Sequence, residues 1–114
     1  ELTPLVDAFV EGEASAQKFD APSPTLLTYM DGRTYQLREG ANVIGRGQDA
    51  QFRLPDTGVS RRHLEIRWDG QVALLSDLNS TNGTTLAGRA VHGAVELPIG
   101  VPVRIGQTTL ELRP

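Results

Sequence analysis

The chain has 114 residues, which is enough for one domain with a hydrophobic core, and it contains no cysteine. The missing cysteines exclude disulfides, thiolate metal sites and cysteine nucleophiles. The net charge of −3 argues against a protein that binds nucleic acid through many phosphates, because such proteins usually carry a large basic excess.

Neither a membrane helix nor a signal peptide is evident in the sequence, because no apolar run approaches the roughly 20 residues that a membrane helix needs. We therefore expect a cytoplasmic protein without membrane insertion. Because the first residue is Glu1 and not methionine, we also expect the sequence to be part of a longer protein.

Charge is unevenly distributed along the chain. Residues 1–24 carry five acidic residues and one lysine, a net charge of −4, whereas residues 25–114 carry ten arginines and nine acidic residues. The boundary falls at "APSPT" (residues 21–25), where two prolines favour an extended linker. We predict an acidic tail or linker over residues 1–24 and a folded domain over residues 25–114.

Within the tail, "LTPLVDAFVEG" (residues 2–12) predicts a short helix. Its apolar residues recur at helical spacing, with Thr3 as the cap, Pro4 in the first turn and Gly12 at the end. A helix of about two turns is marginal alone in water. We expect a remnant of a neighbouring domain or a helix docked on a surface; a dedicated partner-binding helix is the alternative.

From Thr25 onward, short runs of strand-forming residues alternate with turn residues. "TLLTYM" and "RTYQLR" flank Asp31-Gly32, and "LEIRW" and "VALLSDL" are separated by Asp69-Gly70-Gln71. Asp-Gly between alternating runs predicts a hairpin in which both turn residues have positive φ. "VPVRI" and "TTLELRP" are joined across Gly106-Gln107, which suits a turn with glycine first.

Five further runs, "NVIGR", "QFRL", "TTLAG", "RAVH" and "AVEL", bring the total to eleven runs and predict ten or so strands. No helical pattern of ten residues interrupts this part of the chain. The sequence therefore predicts an all-β fold, an antiparallel β-sandwich.

Three polar segments fall at the end of a predicted strand or between predicted strands: Gly45-Arg46, Ser60-Arg61-Arg62-His63 and Asn79-Ser80-Thr81-Asn82-Gly83. Loops of a sandwich collect at its two ends, so these segments could converge on one rim. They offer guanidinium, hydroxyl and amide donors. A phosphate monoester has a charge of about −1.5 to −2 and three acceptor oxygens, and arginine binds two such oxygens at once. The pattern favours a phosphate that is bound and not cleaved.

The order and spacing of Gly45-Arg46, Ser60-x-x-His63 and Asn82-Gly83 within "LNSTNGT" resemble the signature of forkhead-associated (FHA) domains, and the resemblance covers residues 25–114. The sequence is most similar to FHA domains of actinobacterial proteins that work with serine/threonine kinases. The resemblance implies a β-sandwich of about eleven strands that binds phosphothreonine peptides of kinase-phosphorylated partners through loops at one end, without a cofactor.

The resemblance also implies roles for individual residues. Those expected to bind the phosphate are Arg46, Ser60 and Arg61. Those expected to contact the peptide are Thr81, Asn82, Arg62 and Asn79. Those expected to support the site structurally are Gly45, His63 and Gly83. No catalytic or metal-binding residue is expected.

One position departs from a pattern found in some family members, which read the third residue after the phosphothreonine with an arginine two positions before the serine. That position is Gly58 here. Arg53, Arg62 or Gln48 could take over this role, and the sequence leaves the choice open.

Three other functions are alternatives to phosphopeptide binding. A hydrolase would use Ser60 as nucleophile, His63 as base and Asp77 as third member, but the serine is not on a G-x-S-x-G elbow. A nucleic-acid site would use the arginines as a patch, but we expect no exposed aromatic residues for stacking, and Trp68 is predicted to lie in a strand. A phosphate-independent scaffold domain is the remaining alternative.

Overall fold

The computed structural model describes residues 23–114, and the helix predicted in the acidic tail lies outside this range. The described residues form eleven strands and no helix, so none of them builds a helix that could cross a membrane. The strands are β1 (Thr25–Thr28), β2 (Thr34–Gln36), β3 (Gly40–Gly45), β4 (Phe52–Arg53), β5 (Leu64–Trp68), β6 (Ala73–Asp77), β7 (Thr85–Leu86), β8 (Arg89–Ala90), β9 (Val95–Glu96), β10 (Val103–Ile105) and β11 (Thr108–Arg113). The predicted all-β class is confirmed.

The strands form two sheets. One has the order β9-β6-β5-β3-β4 and the other the order β2-β1-β11-β10-β7-β8. Every pair is antiparallel except β3 and β4, which run parallel with Ile44 opposite Phe52 and Gly45 opposite Arg53. Parallel neighbours usually need a crossover of a dozen or more residues. Six residues suffice here because β4 is two residues long and pairs only with the end of β3.

An apolar core from both sheets holds the domain together. In β5, Leu64 and Ile66 are buried whereas Arg67 is exposed, which is the period of two expected of a strand with one face on a core. Each such leucine or isoleucine contributes about 1.5–3 kcal/mol on full burial. The core cluster comprises Leu26, Leu37, Ile44, Phe52, Leu54, Val59, Leu64, Ile66, Ala73, Leu75, Leu97, Val103, Ile105, Leu110 and Leu112.

The Asp-Gly turns differ from the prediction in their backbone conformation. Gly32 and Gly70 have positive φ (70° and 98°), but Asp31 and Asp69 do not. The Asp31 carboxylate instead accepts a hydrogen bond from the Arg33 N–H, and Asp69 accepts two from the N–H groups that follow its glycine. These are side-chain-to-backbone turns, in which aspartate does not need to adopt the left-handed conformation. At the third hairpin, glycine comes first with φ 57°, as expected.

Asn42 is a fully buried polar residue on β3, 0% exposed. Its Oδ1 accepts hydrogen bonds from the Tyr35 hydroxyl (2.7 Å) and the Arg38 N–H (2.9 Å). Its Nδ2 donates to the carbonyl oxygens of Arg38 (2.9 Å) and Ile66 (3.0 Å), with that of Gly40 at 3.2 Å. The amide thus anchors the turn before β3 to both β3 and β5, the strands that lead to the polar loops.

We expect Asn42→Ala to lower the free energy of unfolding by about 2–4 kcal/mol, because it leaves several of these groups unpaired. Asn42→Asp should lower the free energy of unfolding by as much. It keeps the acceptor oxygen but places a second carboxylate oxygen against the carbonyl oxygens to which Nδ2 donates. Urea denaturation measures both. Gln71→Ala, at an exposed turn position, is the control and should change stability by less than about 0.5 kcal/mol. A loss under about 1 kcal/mol for both Asn42 variants would contradict this role.

Candidate functional site

The register of the five-stranded sheet brings three loops to one edge. Ile44 pairs with Leu64, and Leu64 pairs with Asp77, so the end of β3, the start of β5 and the end of β6 lie in one row. The loops that leave or enter at this row are residues 46–51, 54–63 and 78–84. All three polar segments singled out in the sequence therefore meet at one end of the sandwich.

The first two loops approach each other through their backbones. The Arg46 N–H donates to the Ser60 carbonyl at 2.9 Å, and the Gly47 N–H donates to the Arg61 carbonyl at 3.0 Å. Gly45 permits this approach, because a Cβ there would lie 2.1 Å from the Arg61 carbonyl oxygen. Any side chain at this position would push the two loops apart.

Arg46 and Ser60 present hydrogen-bond donors that are already oriented. Arg46 Nε donates to the Val59 carbonyl at 3.0 Å, which directs the exposed guanidinium along the second loop. Its terminal amino groups have no partner among residues 23–114. Ser60 Oγ accepts the Thr81 N–H at 3.0 Å, which leaves the hydroxyl hydrogen to donate. An anion near these two residues would meet a cation and a hydroxyl donor.

His63 is fully buried beneath the site and ties the second loop to the third. Its Nδ1 accepts the Ser60 N–H at 2.9 Å, so the proton assigned from this network is on Nε2, which donates to the Gly83 carbonyl at 2.8 Å. The imidazole contacts the backbone of Ser60 and not its hydroxyl. Asp77 Oδ1 lies 3.9 Å from Nε2, too far for a hydrogen bond. The nucleophile–base–acid arrangement of a serine hydrolase is not formed by these three residues.

Asp77 organises the third loop. Its Oδ1 accepts hydrogen bonds from the Ser80 and Thr84 hydroxyls, both at 2.6 Å, and Ser80 Oγ in turn accepts the Gly83 N–H at 2.9 Å. Burial raises the pKa of Asp77, but these hydroxyl donors and the Ser80 N–H outweigh it, so the pKa lies below its ordinary value. Gly83 has φ 82°, a conformation that favours glycine.

Asn82 connects the third loop back to the second. Its Nδ2 donates to the Gly58 carbonyl at 2.9 Å. This bond fixes the amide plane at the exposed rim, with the side-chain oxygen left to accept. Thr81 and Asn82 are thus both bonded to the second loop, Thr81 at Ser60 and Asn82 at Gly58.

Asp56 joins the second loop to the β10–β11 hairpin, a role that was not predicted from the sequence. Its carboxylate accepts hydrogen bonds from the Gly58 N–H (2.8 Å), the Gln107 N–H (2.8 Å) and the Thr108 hydroxyl (2.7 Å). The bond from Thr108 is the main cause that lowers the pKa of Asp56. The Asp-x-Gly spacing is typical of a side-chain-to-backbone turn and is the signal that could have revealed it.

Gly58 is packed closely against this hairpin. A Cβ there would lie 3.1 Å from Gly106 Cα and 3.3 Å from the Asp56 carboxylate. Any side chain at this position would therefore require the hairpin or the second loop to give by a few tenths of an ångström. The same holds for an arginine at this position.

The remaining arginines in and beside the first two loops divide into two groups. Arg53 and Arg61 line a cleft with Arg46, whereas Arg62 lies 3.9 Å from Asp49 at the surface and does not line it. Gln48 also lines the cleft. Asn79 is exposed with φ 63°, and its side chain makes no hydrogen bond with the described residues. Arg62 and Asn79 are thus not brought next to Ser60 by any contact.

The assembled groups suit anion binding. They supply a guanidinium, a hydroxyl and an amide, all held by neighbouring backbone, and His63 is fully engaged in structural hydrogen bonds. No group of three or more histidine, aspartate or glutamate side chains within residues 23–114 could hold a metal ion. The geometry favours recognition of a group rich in acceptor oxygens.

Comparison with known proteins agrees with this geometry. A family model described as the FHA domain matches residues 42–106, more than half of the chain. FhaA of Mycobacterium tuberculosis is 70% identical over 82 residues, which cover 72% of this chain and 15% of that protein. FhaB of the same species is 44% identical over 85 residues, which cover 75% of this chain and 55% of that protein. The chain therefore spans only part of the curated relatives it matches.

Solved structures give the same result. An FHA domain from a structural and functional study of phosphothreonine-dependent FHA interactions is 64% identical with a TM-score of 0.77, over 81% of this chain and 96% of that one. The FhaA FHA domain, solved in complex with the intracellular domain of Rv3910, is 65% identical with a TM-score of 0.77, over 80% of this chain and all of that one. With the sandwich, the converging loops and the motif residues in place, the chain belongs to the FHA domain family.

Proposed function

We propose that this domain binds phosphothreonine segments of proteins phosphorylated by serine/threonine kinases, and that it is a binding module and not an enzyme. The observation that carries this proposal is the placement of Arg46 and Ser60, whose loops are joined by the Arg46 N–H to Ser60 carbonyl bond at 2.9 Å and whose side chains keep donors unused. The phosphothreonine dependence studied in a relative that is 64% identical supports it.

In this proposal the phosphate lies between Arg46 and Ser60. The Arg46 guanidinium contributes charge and paired N–H donors, and the Ser60 hydroxyl donates to a further oxygen. Arg61, exposed one residue after Ser60, adds a second positive charge. Two arginines balance the charge of about −1.5 to −2 on one phosphothreonine.

The peptide backbone beside the phosphothreonine lies along Thr81 and Asn82. Asn82 is suited to this role because its Nδ2 is held by the Gly58 carbonyl at 2.9 Å, so its side-chain oxygen is preoriented to accept a peptide N–H. Asn79 and Arg62 would then contact only residues farther from the phosphothreonine.

The binding unit proposed here is residues 25–114, and its setting is the cytoplasm, where such kinases act. The acidic tail (residues 1–24) is not required for the contacts described above. A binding module also accounts for His63, whose ring nitrogens serve two backbone groups and not the Ser60 hydroxyl.

Replacement of Arg46 or Ser60 by alanine should abolish phosphopeptide binding and leave the fold intact. Truncating one partner of a charge-assisted pair in a desolvated site costs about 2–5 kcal/mol, which converts a micromolar Kd to one beyond most titrations. Calorimetry with a phosphothreonine peptide measures this loss. Arg89→Ala, an exposed arginine on β8, is the matched control and should bind normally. Wild-type affinity in Arg46→Ala would contradict the assignment, and equal affinity for the unphosphorylated peptide would favour a phosphate-independent scaffold.

His63→Ala should reduce both stability and binding, because the partly buried Ser60 N–H and Gly83 carbonyl lose their shared partner. Each unpaired group costs about 1–3 kcal/mol, so we expect a clearly lower melting temperature, unlike that of Arg46→Ala. Thermal denaturation followed by circular dichroism, with calorimetry at a temperature where the variant is folded, separates the two effects. Unchanged melting with lost binding would instead indicate that His63 touches the ligand.

Phosphothreonine should bind at least about tenfold more tightly than phosphoserine in the same peptide, since a fitted methyl pocket gives roughly 1–3 kcal/mol of discrimination. The expected walls are the loop of Thr81 and Asn82 and the chain at Gly58-Val59, which the Asn82–Gly58 hydrogen bond holds together. The methyl also restricts χ1 of the free peptide, so less freedom is lost on binding. Phosphotyrosine should fail, because its ring moves the phosphate away from the backbone. Equal affinities for the phosphothreonine and the phosphoserine peptides would mean that the site recognises charge alone.

A further inference from the structure

A cleft of about 470 Å³ adjoins the proposed phosphate position at the edge where β4 pairs with β3. Within the described part of the chain it is lined by Arg46, Gly47, Gln48, Asp49, Arg53 and Arg61. Ser60 and Thr81 do not line it. The cleft therefore lies next to the Arg46–Ser60 pair, and its size is within the roughly 300–1,000 Å³ of small-ligand sites.

Arg53 is fixed in this cleft by the short parallel pairing of β4. The register places Arg53 opposite Gly45, and Arg53 Nε donates to the Arg46 carbonyl at 2.9 Å. Its two terminal amino groups have no partner among residues 23–114. Part of the side-chain freedom is thus already lost, and a fork of N–H donors remains for a ligand.

The charges around the cleft do not balance when one phosphate is bound. Three arginines line the cleft together with a single carboxylate, that of Asp49. This carboxylate lies 3.9 Å from Arg62, which does not line the cleft. One phosphothreonine phosphate, at about −1.5 to −2, is matched by Arg46 and Arg61. The charge of Arg53 is then left without a counter-charge.

We propose that Arg53 forms a subsite for a second anionic group on the same phosphopeptide, either a phosphoryl group or a carboxylate close in sequence to the phosphothreonine. This inference rests on the proposed function and names its ligand class more narrowly: segments that are phosphorylated twice or are acidic beside the phosphothreonine. A phosphoryl group has the greater charge and the better match to a guanidinium fork, so it binds more tightly than a carboxylate.

The test uses the 114-residue chain and synthetic peptides that carry one phosphothreonine. In one series a phosphoserine is placed singly at each position from three before to three after the phosphothreonine, and in a second series glutamate takes its place. Calorimetry is run at low and at physiological ionic strength, because the pair is exposed and salt weakens it. The variants are Arg53→Ala and Arg53→Gln, which keeps a donor toward the Arg46 carbonyl without the charge, with Arg89→Ala as control.

We expect the second phosphate at one or two adjacent positions to tighten binding by about fivefold or more at low salt, as for a favourable exposed ion pair. Glutamate there should give a smaller gain. Both Arg53 variants should lose the gain while binding the singly phosphorylated peptide within about twofold of wild type, and Arg89→Ala should retain it.

The proposal is overturned if no position gives a gain, if the gain survives in Arg53→Gln, or if the Arg53 variants weaken singly and doubly phosphorylated peptides equally. The last result would assign Arg53 to the first phosphate. Failure of the wild-type chain to bind any phosphothreonine peptide would instead contradict the proposed function, so the two failures are distinguishable.

Discussion

One buried imidazole holds the site together. His63 is the last residue of the second loop, and its two ring nitrogens bridge the Ser60 N–H and the Gly83 carbonyl at 2.9 and 2.8 Å. A neutral imidazole carries one acceptor and one donor on opposite sides of a rigid ring, which suits a gap between two backbone groups of opposite kind. Ser60 and the third loop, which we propose contact the phosphate and the peptide, are therefore positioned by the same side chain.

Around this bridge, the loops are held by backbone contacts and by two partly buried carboxylates. Gly45 lets the first loop approach the second, Asp77 braces the third loop and Asp56 braces the second against a hairpin. Each brace removes conformational freedom before the ligand arrives, so less is lost on binding. A site of this kind needs few ligand contacts, which agrees with a domain whose folded part carries almost no net charge.

The sequence predicted much of the fold because strand periodicity and turn residues are local signals. It also located the three loops of the site, because glycine, arginine, serine and asparagine stand at characteristic spacings. What it did not predict depends on residues far apart in the chain. In the sequence, Asn42 is an ordinary polar strand residue, and its role depends on the bond from its amide to the Ile66 carbonyl of β5. The parallel pairing that places Arg53 beside Arg46 depends on how a six-residue loop folds back.

The Asp-Gly turns illustrate the same limit at short range. The dipeptide located the turns correctly, but the positive φ predicted for the aspartates was wrong. Their carboxylates accept hydrogen bonds from the N–H groups that follow, so the turns form without positive φ at aspartate. A local pattern thus identifies where the chain reverses more surely than how it does so. The same holds at Asp56, whose partners in the hairpin are some fifty residues away in sequence.

A crystal structure of the domain with a phosphothreonine peptide tests the central claim most directly, namely that a preformed Arg46–Ser60 pair binds one phosphate. Phosphate oxygens should lie within hydrogen-bond distance of the Arg46 guanidinium and the Ser60 hydroxyl. The His63 bonds to both loops should be intact, with loop Cα atoms displaced by no more than about 1 Å from the free structure. A phosphate bound away from these two residues, or a His63 ring that leaves Ser60 when the peptide binds, would contradict the claim.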